Sequence, residues 1–404
     1  MQLAHRIRFV PNSPTLSITA KALELKKAGK DVISLSIGEP DFSTPQHIID
    51  AAKTALDRGA TKYTPAAGIP ELREAVAAEV RRDYELEKIT SDHVIISSGA
   101  KHSIYNAMMA VINPGDEVII PAPYWLSYPV IVTLAGGIPV FVPTTLEDRF
   151  VLTPDKLRNA ITRRTKLVIL NNPGNPTGTV YNRKELKALM DVVMDFPNIL
   201  VLEDAIYRKL VYGNAKFVSA ACFSEEARKR TIIIDGVSKA YAMTGWRIGF
   251  SIARRQITRA MAHIQSHTTS NPAAVSQYAS LAALTGDQGP VIEMVKSFAS
   301  RRTTMLEELP KITDFEFHQP RGAFYVLPRI GKVLGKLTPK DELLRTDIDF
   351  ANYLIDEAGV ALVPGTPFGA PSHIRLSYAL NNDRIAAAIQ RIGNATASLR
   401  EPGA

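Results

Sequence analysis

The chain of 404 residues is 46% apolar and 22% charged, the balance of a water-soluble globular protein with room for more than one domain, which excludes a disordered or low-complexity chain. Its one cysteine, Cys222, excludes an internal disulfide framework and a multi-cysteine metal site, and fits a reducing cytosol. The formal charge of +8 is spread as short pairs such as Lys26-Lys27, Arg81-Arg82 and Arg254-Arg255, so solvated helix faces are expected rather than a nucleic-acid surface.

Residues 1–44 read as an arm, a helix over 19–28 closed by Gly29, and a short strand over 32–36 that runs into Gly38-Glu-Pro-Asp41. The N-terminus lacks the apolar stretch of a signal peptide and no later run has the length of a membrane span, so a cytoplasmic protein without membrane contact is expected. Ile48, Ile49, Ala52, Ala55 and Leu56 recur at helical spacing and predict a helix over 46–58 with Gly59 as its stop. The loop chemistry of Tyr63-Thr-Pro-Ala-Ala-Gly-Ile-Pro70 precedes a second helix over 71–84.

From there short β-branched runs alternate with helical stretches, which is how a mainly parallel sheet with crossover helices is written. Strands are predicted over 94–96, 117–120, 139–142, 167–170, 199–202, 231–234 and 248–252. A long helical region over 256–285, interrupted near Asn271-Pro272, leads to a helix over 291–309. Strands over 322–327, 360–364 and 373–378 and a closing helix over 382–399 follow in a different texture. The reading is an α/β fold. A large domain over 45–295 has a mainly parallel sheet flanked by helices, a smaller α+β domain covers 296–404, and residues 1–44 supply an N-terminal arm and part of the small domain.

Several predicted strands run straight into polar or glycine-bearing segments: Ser97-Ser-Gly-Ala-Lys101, Asn171-Asn-Pro-Gly-Asn-Pro-Thr-Gly178, Glu203-Asp-Ala-Ile-Tyr207 and Gly236-Val-Ser-Lys239. In open α/β sheets ligands bind beyond the carboxyl ends of the strands, so the reactive side chains gather on one edge. Lys239 follows a buried strand, where partial desolvation lowers an amine's pKa and lets the neutral form attack a carbonyl. Arg247, eight residues on, is placed to neutralise a phosphate, and together they suggest pyridoxal phosphate. The start of the helix at Gly99-Ala-Lys101 offers N–H groups to an anion.

Asn175 is held by a loop stiffened with prolines. Asp204, after an apolar strand, is expected to be buried and to need a cation, either in a structural salt bridge or as a protonated pyridine nitrogen. Trp125 serves equally as a core residue or as a platform for a planar ring. Arg375, between Ile374 and Leu376, is expected to meet a carboxylate with both arms of its fork. His263 and His267 share a helix face without a third ligand, so no metal site is expected. Walker A, His-Glu-x-x-His and Gly-x-Gly-x-x-Gly patterns are absent from the sequence.

Over nearly its whole length the chain resembles the pyridoxal-phosphate-dependent aminotransferases of class I/II, fold type I, and within them the prokaryotic-type aspartate aminotransferase branch. The resemblance is carried by Gly38-Glu-Pro-Asp-Phe42, Gly68-Ile-Pro-Glu-Leu-Arg-Glu74, Val363-Pro-Gly-Thr366, Ile374-Arg-Leu-Ser-Tyr378 and above all Ser238-Lys-Ala-Tyr-Ala-Met-Thr-Gly-Trp-Arg-Ile-Gly249. It implies that Lys239 condenses with the cofactor aldehyde, that Asp204 pairs with the pyridine nitrogen, and that Tyr207 and Asn175 hydrogen-bond the ring oxygen. Gly99, Ala100, Ser238 and Arg247 would hold the phosphate, with Lys101 in the same cofactor pocket and Tyr63 reaching over from the partner subunit of a homodimer. Trp125 would stack on the ring. Arg375, the Gly38 backbone and the Asn175 amide would bind the substrate α-carboxylate, and Lys101 with Thr15 would meet the distal carboxylate of a dicarboxylic amino acid.

The implied reaction is a ping-pong amino transfer between L-aspartate and 2-oxoglutarate, giving oxaloacetate and L-glutamate. Two alternatives stand beside it: the same cofactor acting on prephenate, an aromatic amino acid or a lyase substrate, and a cofactor-binding transcription regulator. Pro11 and Asn12 stand where some relatives acting on prephenate carry a basic residue, which argues against prephenate within the first. Fewer than 45 residues precede Gly38-Glu-Pro-Asp41, too few for a DNA-binding domain, which argues against the second. Two departures from the family pattern, Gly174 in the proline loop and Glu203-Asp-Ala-Ile-Tyr207, leave the expected cofactor contacts in place.

Overall fold

The computed structural model describes residues 3–10 and 14–403. Pro11 and Asn12, on which the expectation against prephenate rests, lie outside the described residues, as does the side chain of Thr15. The chain opens with helix α1 (Pro14–Lys27), longer at its start than the sequence pattern suggests, and Gly29 ends the turn in the left-handed region at φ +81. Strand β1 (Ile33–Ser34) is two residues long rather than five, because its ladder partner is itself only two residues long. Helices α2 (Gln46–Asp57) and α3 (Pro70–Asp83) follow. The first buries Ile48, Ala52 and Ala55 and leaves Leu56 half exposed.

The central layer then unfolds in sequence: β2 (Val94–Ser97), α4 (Ala100–Val111), β3 (Glu117–Ala122), α5 (Ser127–Leu134), β4 (Ile138–Pro143), α6 (Pro154–Ala160), β5 (Thr165–Asn171), α7 (Arg183–Met194), β6 (Leu200–Asp204), α8 (Glu225–Arg230), β7 (Thr231–Gly236) and β8 (Gly249–Ile252). These strands form one seven-stranded sheet in the order β2-β8-β7-β6-β5-β3-β4. All neighbours run parallel except β8, which is antiparallel to both β2 and β7. β6 and β7 are buried along their whole length, as expected of strands covered on both faces. Helix α7 starts at a reciprocal cap in which the Asn182 side chain accepts from the Lys184 and Glu185 N–H groups and Glu185 accepts from the Asn182 N–H.

The reversed strand places the chemistry. The carboxyl ends of β5, β6 and β7 share one edge, and β8 begins at that edge because Gly249 pairs with both Gly236 and Ser97. Arg247, just before β8, therefore arrives beside the residues that follow β2, β6 and β7. Gly249 must be glycine for this: a Cβ there would lie 2.2 Å from the Ala100 nitrogen, so the missing side chain lets β8 touch the start of α4.

Helices α9 (Arg255–Thr268) and α10 (Ala274–Thr285) are separated by the break expected at Pro272, and α11 (Gly289–Glu308) follows. The strands of the last part are shorter than the sequence predicts. Of the 322–327 run, Tyr325–Val326 forms β9, and Gly322 makes an isolated bridge to Val211. After α12 (Asp347–Glu357), the 360–364 run divides into β10 (Val360–Ala361) and β11 (Val363–Pro364), which join different sheets. β12 (Ile374–Ser377) and α13 (Asn382–Ala397) close the chain. β10 pairs with β1 in parallel, and β11, β12 and β9 make an antiparallel sheet. Their core gathers Phe298, Phe324, Phe350, Ile374, Leu376 and Ile389, with Ile33 and Leu35 from the start of the chain and Ile206 and Tyr207 from beyond β6. That shared core brings β12 over the carboxyl edge of the central sheet.

Candidate active site

A cavity of about 1040 Å³ opens at that edge, lined by Gly38, Ala100, Lys101, Trp125, Asn175, Asp204, Tyr207, Ser238, Lys239, Arg247 and Arg375 among others. Eleven of the residues singled out from the sequence thus meet in one place, although the first and last are 337 positions apart. Its charged lining residues are four cations, Lys101, Lys239, Arg247 and Arg375, and one carboxylate, Asp204. The excess is positive, so the cavity attracts anions.

Lys239 donates from Nζ to the Gly38 carbonyl at 2.6 Å. Desolvation depresses its pKa from the usual 10.5 to about 8; the field of Glu39 opposes this and those of Arg247 and Arg375 reinforce it. A useful fraction of the amine is therefore neutral near pH 7, as nucleophilic attack requires.

Asp204 ends β6 and is 4% exposed. Its Oδ2 accepts from the Tyr128 hydroxyl at 2.6 Å and its Oδ1 from the Ile206 N–H at 3.2 Å. Among the described residues no cation comes within salt-bridge distance of it, and burial raises its pKa from 3.8 to about 6 despite those two bonds. The structural salt bridge considered for it is thus not formed among the described residues.

Arg375 is 3% exposed and donates to the Asn175 side-chain oxygen at 3.1 Å and to the Ser36 carbonyl at 2.8 Å, while its Nε is buried without a partner. The guanidinium lies over the Tyr325 ring at 4.4 Å and the Phe368 ring at 5.0 Å. Asn175 is fixed in turn by its backbone N–H donating to Asn171 at 2.7 Å. The Tyr207 and Tyr325 hydroxyls are 3.0 Å apart.

On the other flank, Ala100 and Lys101 of the first turn of α4 line the cavity, at the helix end whose first N–H groups have no intrahelical acceptor. Gly99 precedes the helix at φ +91, and a Cβ there would come 2.4 Å from an Arg247 nitrogen, so the missing side chain lets the guanidinium pack against the helix start. Arg247 holds a left-handed backbone at φ 55, a conformation costly for a side-chain-bearing residue and concentrated at functional sites. Trp125 is half-buried rather than a core residue, packs edge-on against Tyr128 at 5.3 Å and has Lys101 Nζ 5.0 Å from its ring. Ser238 is buried at the cavity wall.

Tyr63 is not part of this cavity. It is 91% exposed and lines a separate cleft with Ala51, Thr54, Arg58, Tyr278 and Leu281. The expected reach of Tyr63 therefore cannot be made within its own chain. Sequence reasoning missed Tyr128, Asn171, Ser36 and Tyr325. Each acts through a hydrogen bond to a distant segment, and only the polar Asn171, within the proline loop, carried any local signal.

A family model described as aminotransferase class I and II matches residues 30–392. The chain is 47% identical over 392 residues to an aspartate aminotransferase of Geobacillus stearothermophilus, covering 97% of this chain and 98% of the other. It is 42% identical to an aspartate/prephenate aminotransferase of Nitrosomonas europaea, covering 98% and 99%. Among solved structures, the aspartate aminotransferase of Rhizobium meliloti superposes with a TM-score of 0.95 at 42% identity, covering 99% of this chain and all of that one. The Thermus thermophilus aspartate aminotransferase with maleate gives 0.91 at 39% identity, covering 98% and 100%.

Proposed function

The chain belongs to the class I and II aminotransferases, and from that membership we propose that it transfers the amino group of L-aspartate to 2-oxoglutarate with pyridoxal 5′-phosphate as cofactor. One observation carries the substrate choice: the Arg375 guanidinium and the Lys101 ammonium line the same cavity as Lys239, a separate cation for each carboxylate of a dicarboxylic amino acid. Curated relatives at 45–47% identity carry the name aspartate aminotransferase.

The residues present fit the cofactor. An uncompensated buried carboxylate at Asp204 suits a protonated ring nitrogen, and the Arg247 guanidinium, packed on Gly99 beside the start of α4 and lining the cavity with Ala100 and Ser238, suits a phosphate. When bound, pyridoxal phosphate supplies an aldehyde for an amine to condense with and an electron-withdrawing ring. Asp204 keeps a facing N–H protonated through its negative charge. Tyr207 and Asn175 would offer donors to a ring oxygen, Ala100, Ser238 and Arg247 would hold the phosphate, and Trp125 would stack on the ring. Arg375 fixes the substrate α-carboxylate and so turns the Cα–H toward Lys239, whose Nζ removes that proton and later returns one.

The exposed Tyr63 and the apolar cleft beside it support a homodimer in which each Tyr63 completes the partner's phosphate site. A cytoplasmic location is proposed with it; among the described residues no helix is long and apolar enough to cross a membrane. The testing experiment is a half-reaction titration of the loaded enzyme, following cofactor absorbance as aspartate, glutamate, phenylalanine, tyrosine or alanine is added. Conversion by the two dicarboxylates at the lowest concentrations is expected. Preference for an aromatic donor would overturn the substrate assignment, and a protein with no Lys239-dependent absorbance would overturn the cofactor.

A further inference from the structure

Tyr325 has no place in the roles assigned above, yet it touches two of the groups that carry them. It stands on β9, where its register partner is Ser377 of β12, two residues from Arg375. Its side chain is 1% exposed and reaches the cavity wall. The ring supports the Arg375 guanidinium at 4.4 Å, and the hydroxyl meets that of Tyr207 at 3.0 Å. Gly38 closes the third side: a Cβ there would lie 3.3 Å from the Tyr325 oxygen. Among the described residues Tyr207 is the one hydrogen-bond partner of this hydroxyl.

Each phenol has a single proton to donate. When Tyr207 gives its proton to an acceptor in the cavity, the bond between the two tyrosines persists only if Tyr325 is the donor. A hydroxyl that accepts one hydrogen bond donates the next more strongly. The other charged or titrating groups that reach Tyr325 are Arg375, Glu39 and Tyr378. Arg375, on the ring face, makes the phenol a better donor.

We propose that Tyr325 is a positioning residue that ties the carboxylate clamp to the ring-oxygen donor: its hydroxyl aims the Tyr207 proton into the cavity, and its ring fixes the plane of the Arg375 fork. The proposal rests on the reading of this cavity as a cofactor and amino-acid site. It separates two effects on one residue. Loss of the hydroxyl touches Tyr207, and loss of the ring touches Arg375 as well.

The test compares Tyr325→Phe, Tyr325→Leu, Tyr207→Phe and the Tyr207→Phe/Tyr325→Phe pair in the pyridoxal-phosphate-loaded enzyme. The readouts are the apparent pKa of the bound chromophore from pH-dependent absorbance, and kcat and KM for aspartate. A donor to the ring oxygen favours its anionic form, so Tyr325→Phe should raise the apparent pKa by about 0.3–1 unit and lower kcat about three- to tenfold. KM should stay within about twofold, because the ring still supports Arg375. Tyr325→Leu should in addition raise KM about tenfold. In the Tyr207→Phe background, Tyr325→Phe should shift neither the pKa nor kcat further.

The proposal is overturned if Tyr325→Phe matches the parent in both readouts, if its effects persist undiminished without the Tyr207 hydroxyl, or if it raises KM as much as Tyr325→Leu does. Should the leucine variant fail to fold, the phenylalanine cycle decides alone. A parent enzyme lacking the Lys239-dependent chromophore would instead refute the cofactor reading, so the two failures are distinguishable.

Discussion

Two aspartates end neighbouring strands of the central sheet, Asp204 on β6 and Asp235 on β7, and both are buried. Asp235 belongs to a closed cluster. It accepts from Arg208 at 2.6 Å and from Tyr84 at 2.8 Å, and Arg208 also meets Glu79 and Asp83 while Lys209 meets Glu79 at 2.7 Å. Burial works against Glu79 as an anion, but Arg208 and Lys209 outweigh it and hold its pKa below the ordinary value. Asp204, on the adjacent strand, meets a phenol and an N–H, and its cavity presents four cations to its one carboxylate. The first region is charge that finds its complement within the chain and serves as architecture. The second is charge without a complement among the described residues, the pattern expected of a binding site rather than of a structural ion network.

The sharpest way to break that contrast is to remove the reactive cation. Lys239→Ala should abolish the absorbance of the condensed cofactor and lower the rate of amino transfer by at least about 10²–10⁴-fold, the range for a lost general acid and base. Absorbance spectra and single-turnover rates check this. Circular dichroism should show the fold intact, since among the described residues the Lys239 amine bonds one acceptor, the Gly38 carbonyl.

A smaller effect, with opposite signs in the two regions, is expected from replacing each aspartate by asparagine in cofactor-free protein. Burial raises the pKa of Asp235 as well, against the pull of Arg208 and Tyr84, but Asp235→Asn also takes a charged acceptor from buried Arg208, and that loss should dominate and destabilise the fold by about 1–3 kcal/mol. Asp204→Asn removes a carboxylate that folding disfavours. The pKa of Asp204 is raised from 3.8 to about 6, so between those values the folded chain keeps a proton that the unfolded chain has lost. Stability from this group is therefore highest at the acid end of the window and falls as pH rises to about 6. Relative to the parent, Asp204→Asn should gain about 2–3 kcal/mol between roughly pH 4 and pH 7. Urea titrations across that range measure the difference, and a flat difference would show that Asp204 is already compensated. With pyridoxal phosphate bound the sign should reverse, the variant losing cofactor affinity.

The comparison also explains what the sequence could disclose. Lys239 and Arg247 were legible because one contiguous run carries both, and Asp204 because an apolar strand ends on it. The strand order was not legible, and with it went the reason Arg247 reaches the site: β8 runs against its neighbours, which no periodicity reveals. Tyr128, Tyr325 and Ser36 stayed hidden because their contacts join segments 76, 118 and 339 positions apart. Tyr325 in particular sits in a run that reads as an ordinary strand. Trp125 and Asp204 each allowed two readings from sequence. Partial burial at a cavity wall favours the platform for the first, and the lack of a salt-bridge partner among the described residues argues against a structural ion pair for the second.

The smallest effect contrasts two lysines. Lys101 is exposed at the cavity wall, and its pKa is lowered by partial burial and by Arg247; Lys209 is bound to Glu79 in the closed cluster. A cation left free to meet a distal carboxylate contributes to substrate choice, whereas one already paired contributes to stability. Lys101→Ala should lower kcat/KM for aspartate and glutamate about tenfold and leave alanine within about twofold, because an ion pair open to water is worth about 1 kcal/mol or somewhat more. Raising the salt concentration should shrink the gap between parent and variant. Lys209→Ala should do the reverse, lowering the thermal midpoint while leaving the ratio of dicarboxylate to alanine rates unchanged. Equal losses for aspartate and alanine in Lys101→Ala would mean that Lys101 supports the fold or the cofactor, and the distal carboxylate would then have to be sought at another residue of the cavity.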